Sequence, residues 1–200
     1  MVYYLSCDEG EEYSYGMKAL DGDLKQIRPA DLTQDGGIEI LPIRGKYGRA
    51  LESTHMPTRI RIEGPEHPLT DLRDGYGMFV DAKFKAALEK LESGVHQFFP
   101  VAFVWEDGSP AADRFWFNPC HRLDSVDRAK TSFEFRNIWY LDGDRTKKLV
   151  FNRAQIGNRH AWMDKFISGM GGIWISEALK QNLEAAGVTG MALRAYEETD

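Results

Sequence analysis

Two short stretches of this chain carry the three-to-four-residue spacing of apolar side chains that an amphipathic helix needs, and they are built alike. In the first, Asp81 stands as an N-cap residue, and Phe84, Leu88 and Leu91 follow at i, i+4 and i+7 before Gly94. In the second, Ser176 is the cap, Leu179, Leu183 and Ala186 follow at the same intervals, and Gly187 closes the run. The two caps and each pair of apolar positions are 95 residues apart, and the closing glycines are 93 apart. Both units read as strand entry, capped helix, glycine, valine, strand. A duplication accounts for this. So do the common rules of capping and amphipathicity, which act on any short helix.

The rest of the chain reads mostly as strand. Residues 2–7 (VYYLSC) are β-rich, and residues 58–62 (TRIRI) alternate as a half-buried strand does. The run VHQFFPVAFVW after Gly94 is strand-like. Pro100 inside it predicts an edge strand, a bulge or two shorter strands. Residues 106–110 carry turn chemistry, and Arg114-Phe115-Trp116-Phe117 resumes an aromatic strand. Residues 133–140 (FEFRNIWY) and 148–151 (KLVF) flank Asp142-Gly143-Asp144, which predicts a hairpin between them. A last strand is expected over Val188 to Ala195, and a strand or irregular segment over 159–167. Residues 8–56 are broken up by Pro29 and Gly36-Gly37, and only Ile38 to Leu41 is apolar. Two helices on a mostly antiparallel sheet make an α+β fold.

Composition bounds what such a chain can do. At 200 residues and 42% apolar, it can bury one full core, or one core with a smaller lobe. No apolar run approaches the roughly 18 residues that span a bilayer, so no membrane role is expected. Met1 to Leu5 lacks a basic flank and soon meets Asp8, Glu9, Glu11 and Glu12, which does not fit a signal peptide and predicts a cytoplasmic protein. Cys7 and Cys120 are then expected as free thiols. The net charge of −6 sits at the ends: residues 1–30 hold six acids and three bases, and residues 177–200 five acids and two bases. A dedicated nucleic-acid binder would show a concentrated basic footprint instead. Acidic ends either draw a basic partner or keep the chain soluble.

Candidate chemistry is sparse. A Cys120 nucleophile needs a base, and His121 beside it or His160 further on could supply one. Adjacent strand residues point to opposite faces, so Cys120 and His121 meet only if the backbone bends. The five histidines, at 55, 67, 96, 121 and 160, match no metal-ligand spacing, so neither a metal nor a cofactor is expected. Gly169 to Gly172 precedes a strand rather than a helix and lacks the ending of a phosphate loop, so it reads as a mobile loop. Carboxylates at 106, 107, 113, 124 and 127 fit turn and cap roles. Phe115, Trp116 and Phe117 cannot share a face. Either some aromatic surface is exposed for an interface, or the second face of the sheet is covered.

The stretches FVDAKFKAALEKL, FFPVAFVWEDGS, DRFWFNPCHRLDSVD, LVFNRAQIGNRHAW and WISEALKQNLEAAGVTGMAL, in that order, resemble the bacterial Imm11 immunity proteins, formerly classed as a domain of unknown function. The most specific piece runs from Trp116 through Cys120 and Leu123-Asp124 to Asp127. The resemblance covers residues 79–196. It divides the chain into a loosely matched N-terminal segment, 1–78, read as part of the same fold, and an Imm11-like α+β unit, 79–200. It implies an immunity protein of a polymorphic toxin system that binds and neutralises a cognate toxin without catalysis, as a monomer or weak homo-oligomer. It carries no catalytic residues. Asp8, Glu9, Glu11, Glu12, Asp107 and Asp113 are the partner-binding candidates, as rim charges facing a basic toxin. Two other readings stand beside this one: a hydrolase using Cys120 with a histidine, and a homo-oligomeric scaffold joined through β edges and exposed aromatics.

Overall fold

The computed structural model describes residues 1–8, 16–42, 47–144, 146–167 and 173–199. Fourteen strands are described: β1 (Val2–Cys7), β2 (Met17–Ala19), β3 (Arg59–Ile62), β4 (Leu72–Arg73), β5 (Met78–Val80), β6 (Gln97–Val104), β7 (Pro110–Asn118), β8 (Arg122–Leu123), β9 (Glu134–Phe135), β10 (Trp139–Tyr140), β11 (Val150–Asn152), β12 (Ala161–Asp164), β13 (Ile173–Ser176) and β14 (Met191–Thr199). The helices are α1 (Ala82–Glu89), α2 (Arg153–Ile156) and α3 (Glu177–Ala185). One six-stranded sheet has the order β11-β14-β1-β13-β12-β8, and a second has the order β2-β3-β6-β7-β5-β4. Most pairings are antiparallel; β11 with β14, β12 with β8 and β3 with β6 are parallel. The fold is α+β, as expected, with α2 as an added single turn. Asp81 and Ser176 cap α1 and α3 by accepting the amides of Phe84 and Leu179.

The 95-residue correspondence extends into the strand registers. Phe115 of β7 lies between Val80 of β5 and Pro100 of β6. Tyr3 of β1 lies between Ile175 of β13 and Ala195 of β14. Val80 and Ile175 are 95 apart, and so are Pro100 and Ala195. Outside β6, β3 pairs in parallel with Ala102 to Val104; outside β14, β11 pairs in parallel with Glu197 to Thr199, again 95 further on. On the other flank, Leu72 of β4 faces Val80, as Ala161 of β12 faces Ile175. Five strands and one helix therefore recur in one register. Capping and amphipathicity shape a helix but do not set which residues face each other across strands. The register favours duplication over convergence. The central strand of the second unit, β1, comes from the far end of the sequence.

Packing follows from this arrangement. Between the sheets, Leu5, Ile173 and Ile175 meet Leu72, Val80 and Phe117, with Phe84, Leu88, Leu179 and Leu183 of the two helices among them. The outer face of the second sheet is covered by Ile27, Leu51 and Met56, against Ile60, Phe79, Phe103 and Trp116. The outer face of the first is covered by Val126, Trp139, Leu149 and Ile156, against Val2, Trp162 and Trp174. Both faces of both sheets are thus buried. Phe115 and Phe117 turn into the middle layer while Trp116 turns the other way. Of the large aromatics, Phe135 and Tyr140 on the small β9–β10 ribbon are exposed.

Two expectations change. The hairpin forms within residues 133–140 rather than around Asp142-Gly143-Asp144: β9 folds back onto β10 at Asn137, whose φ of 65° is a left-handed turn value that asparagine tolerates. Residues 150–152 instead join β14 in the first sheet. The run through Pro100 is one continuous strand with neighbours on both sides, and its register shift falls at Phe103/Val104. Pro100 lies just upstream of the stretch that β3 pairs, so its missing N–H removes no ladder bond. The glycine run 169–172 lies outside the described residues.

Leu88 and Leu183 hold equivalent places, both fully buried in the layer between the sheets. Leu88→Ala and Leu183→Ala should each lower the unfolding free energy by about 2–5 kcal/mol, measured by urea denaturation. A cost below about 1 kcal/mol for either would show that its helix is not docked as described.

Candidate functional site

The chain after α1 turns sharply and brings Glu92 and His96, four residues apart, into the interior. Glu92 Oε2 accepts His96 Nε2 at 2.8 Å and the Ala161 amide of β12 at 3.1 Å. Its Oε1 accepts His121 Nε2 at 2.9 Å. The His96 side chain is fully buried and that of His121 is about a quarter exposed. The backbone N–H of Cys120 donates to His96 Nδ1 at 3.0 Å, so Nδ1 holds no proton and Nε2–H is the donor to Glu92. Three N–H donors hold the carboxylate in its charged form. Burial opposes this, yet the pKa falls to about 2 because the bonds from His121 and His96 outweigh it.

Glu92, His96 and His121 place their ligand atoms within 4.8 Å of one another. A metal bound through His96 Nε2 would need that nitrogen's lone pair, with the proton moved to Nδ1. Nδ1 faces a backbone donor, so the proton would point at Cys120 N–H. The hydrogen-bond polarity suits a carboxylate clamp and conflicts with a metal centre. Sequence reading passed over this cluster. Glu92 and His96 carry a visible i, i+4 spacing, but His121 and Ala161 arrive through the tertiary fold.

The nucleophile candidates are committed elsewhere. Cys120 Sγ lies 3.5 Å from the Asn118 carbonyl and 3.9 Å from Gln97 Oε1, and burial pushes its pKa up. His121 turns to Glu92, and His160 Nδ1 is hydrogen-bonded with Ser176 Oγ at 2.7 Å. The last contact is a serine–histidine pair that sequence reading did not single out. Ser176 Oγ also caps α3, and among the described residues no carboxylate holds the other ring nitrogen of His160. Asp164 is a second buried carboxylate. It accepts the Ser125 amide and hydroxyl and the amides of Phe166 and Ile167. Burial raises its pKa against the pull of those bonds. It ties the Ser125 turn to β12 and lies beneath the surface, where no partner reaches it.

The acidic candidates separate into groups. Glu9, Glu11 and Glu12 lie outside the described residues. Asp8 is exposed directly after β1, where its amide donates to the Gly190 carbonyl at 2.9 Å. Asp107 and Asp113 are exposed on the β6–β7 hairpin of the other sheet. Asp107 accepts the Ser109 amide and hydroxyl, which lowers its pKa and makes it a turn residue as well as a surface charge. Asp124 pairs with Arg128, and Asp127 accepts the amides of Ala129 and Lys130. Asp127 thus has the turn role expected of it, whereas Asp124 serves as an ion-pair partner. An open cleft of about 500 Å³ lies beside β14, lined by Lys147, Lys148, Arg194 and Tyr196.

Glu92→Gln should destabilise the protein by about 2–4 kcal/mol at pH 7, because an amide donor then faces imidazole or backbone N–H. The Glu92 pKa is lower folded than unfolded, so its contribution is complete above about pH 4.5 and fades as pH falls toward 2. The gap between wild type and variant should close over that window in denaturation curves. Cys120 should react with iodoacetamide only as the protein unfolds, read by peptide mass spectrometry; rapid labelling of the folded protein would revive the thiol-enzyme reading.

No helix among the described residues is long and apolar enough to cross a membrane. No curated protein matches the chain. The profile of the Imm11 immunity protein family matches residues 15–198, taking in most of the N-terminal segment as well as the stretches that resemble that family. The chain therefore belongs to the Imm11 family of immunity proteins.

Proposed function

We propose that this protein protects a bacterial cell that makes a toxin, by binding the cognate toxin of a polymorphic toxin system in the cytoplasm and blocking it without turnover. The observation that carries this reading is the family match over residues 15–198. The commitment of Cys120, His121 and His160 to structural bonds is in keeping with binding rather than catalysis. Tight inhibition calls for an interface of about 1,600 Å², with a few anchoring residues inside a polar rim. In this reading Asp8, Glu9, Glu11, Glu12, Asp107 and Asp113 are rim charges that speed encounter with a basic toxin.

The test begins with a pull-down of the tagged protein from cells carrying the neighbouring toxin gene. A stoichiometric toxin chain in the eluate is the expected result, and its absence when the toxin is expressed counts against immunity by binding. Changing the six acids to their amides should slow association by about tenfold at low salt and flatten its salt dependence. An association rate equal to wild type would remove these residues as steering groups.

A further inference from the structure

β14 is paired on one side for two thirds of its length and on the other side for only a third of it. β1 covers Met191 to Tyr196, whereas β11 covers Glu197 to Thr199 and then leaves. The Asp8 amide donates to the Gly190 carbonyl, which fixes the even-numbered residues of β14 as those bonding toward β1. Met191, Leu193 and Ala195 then turn their N–H and C=O groups outward. Among the described residues nothing bonds to them. The cleft of about 500 Å³ opens where β11 departs, with Arg194, Ala195 and Tyr196 on one wall and Leu141, Lys147 and Lys148 on the other.

The first unit shows how the same edge looks when it is closed. The Ala102 amide donates to the Thr58 carbonyl, so the even-numbered residues of β6 face outward. Ala195 corresponds to Pro100, which has no N–H to offer and so blunts that edge. The Gln97 side chain bonds both the amide and the carbonyl of Leu51, holding a neighbouring segment over the start of β6. The second unit has an exposed alanine in place of the proline and an open cleft beside it.

Charge says what fits there. Lys147 is paired with Asp142, and Lys148 with Glu197. Arg194 lies 5.3 Å above the Tyr196 ring and has no carboxylate partner among the described residues. A strand laid along β14 would set a side chain beside Arg194 on the same face, where a carboxylate forms a favourable cross-strand pair. We infer that the Met191–Ala195 edge of β14 receives an extended segment of about five residues from the cognate toxin, carrying an acidic side chain opposite Arg194, by strand addition. This rests on the immunity reading above.

The test uses the full chain and the toxin domain encoded beside its gene, with amide exchange and binding measured together. In the free protein the Leu193 and Ala195 amides should exchange faster than those of Ala192 and Arg194. In the complex both should become protected. Ala195→Pro, which copies Pro100, and Arg194→Glu should each weaken binding at least tenfold while leaving the melting temperature within a few degrees of wild type. If Ala195→Pro does not fold, protection in the wild-type complex and the Arg194→Glu affinity decide. Binding without protection at Leu193 and Ala195 overturns strand addition and leaves the immunity reading standing. Failure of the wild-type pair to bind overturns both. Protection that appears with rising concentration of this protein alone, and vanishes in Ala195→Pro, assigns the edge to a second copy and overturns the toxin segment.

Discussion

The two sheets of this protein belong to two copies of one structural unit, and a buried carboxylate joins them from inside. Glu92 follows helix α1 of the first unit, yet one of its oxygens accepts the backbone of β12 in the first sheet, and its two histidines flank the β6–β7 hairpin at its open end. Apolar packing between the sheets is non-directional and would tolerate some sliding. Three N–H donors converging on one carboxylate do not tolerate it, since displacement would leave a buried charge short of partners. Side chains from both sheets settle around that fixed point, and so does the wrapping segment that packs Gly48, at a φ of +69°, against the His121 carbonyl.

A second set of polar contacts holds the covering segments. Arg122, with its side chain almost wholly buried, reaches Asp35 and the carbonyls of Gly36 and Ile38. Asn118 and Gln97 grip the backbone at Arg49 and Leu51. Asn118 and Arg122 flank the Cys120 loop, within the Trp116–Asp127 stretch. Its sequence is accounted for by anchoring: Trp116 fills a core, Asn118 and Arg122 hold the cover, His121 engages Glu92, and Asp127 caps a turn.

Local chemistry made much of this legible. The caps at Asp81 and Ser176, the strands at 2–7 and 58–62 and the turn and cap carboxylates follow from short-range rules. The 95-residue spacing was visible too, although only strand register could separate duplication from convergence. The unread features depend on distance in the chain. His121 and Ala161 meet Glu92 only after folding, and residues 133–140 look like one strand until Asn137 takes a left-handed conformation. The exposed β14 edge is hidden for the same reason, since an unpaired strand has the sequence of a paired one. The partner's surface is further out of reach, because this chain's residues record only one side of the contact.

The position of β1 has a consequence for how the molecule comes into being. Its neighbours are β13 and β14, some 170 to 190 residues later in the chain. The strands of the second sheet all lie between residues 17 and 118, so that sheet can assemble while synthesis is still under way. β1 must instead wait for β13 and β14 to be made before it can pair. While the residues between β7 and β14 are being made, the nascent chain is therefore half built, with β1 unattached. The working form arises in a single late closure, so chain truncation shortly before β14 should abolish the fold of the first sheet rather than trim it.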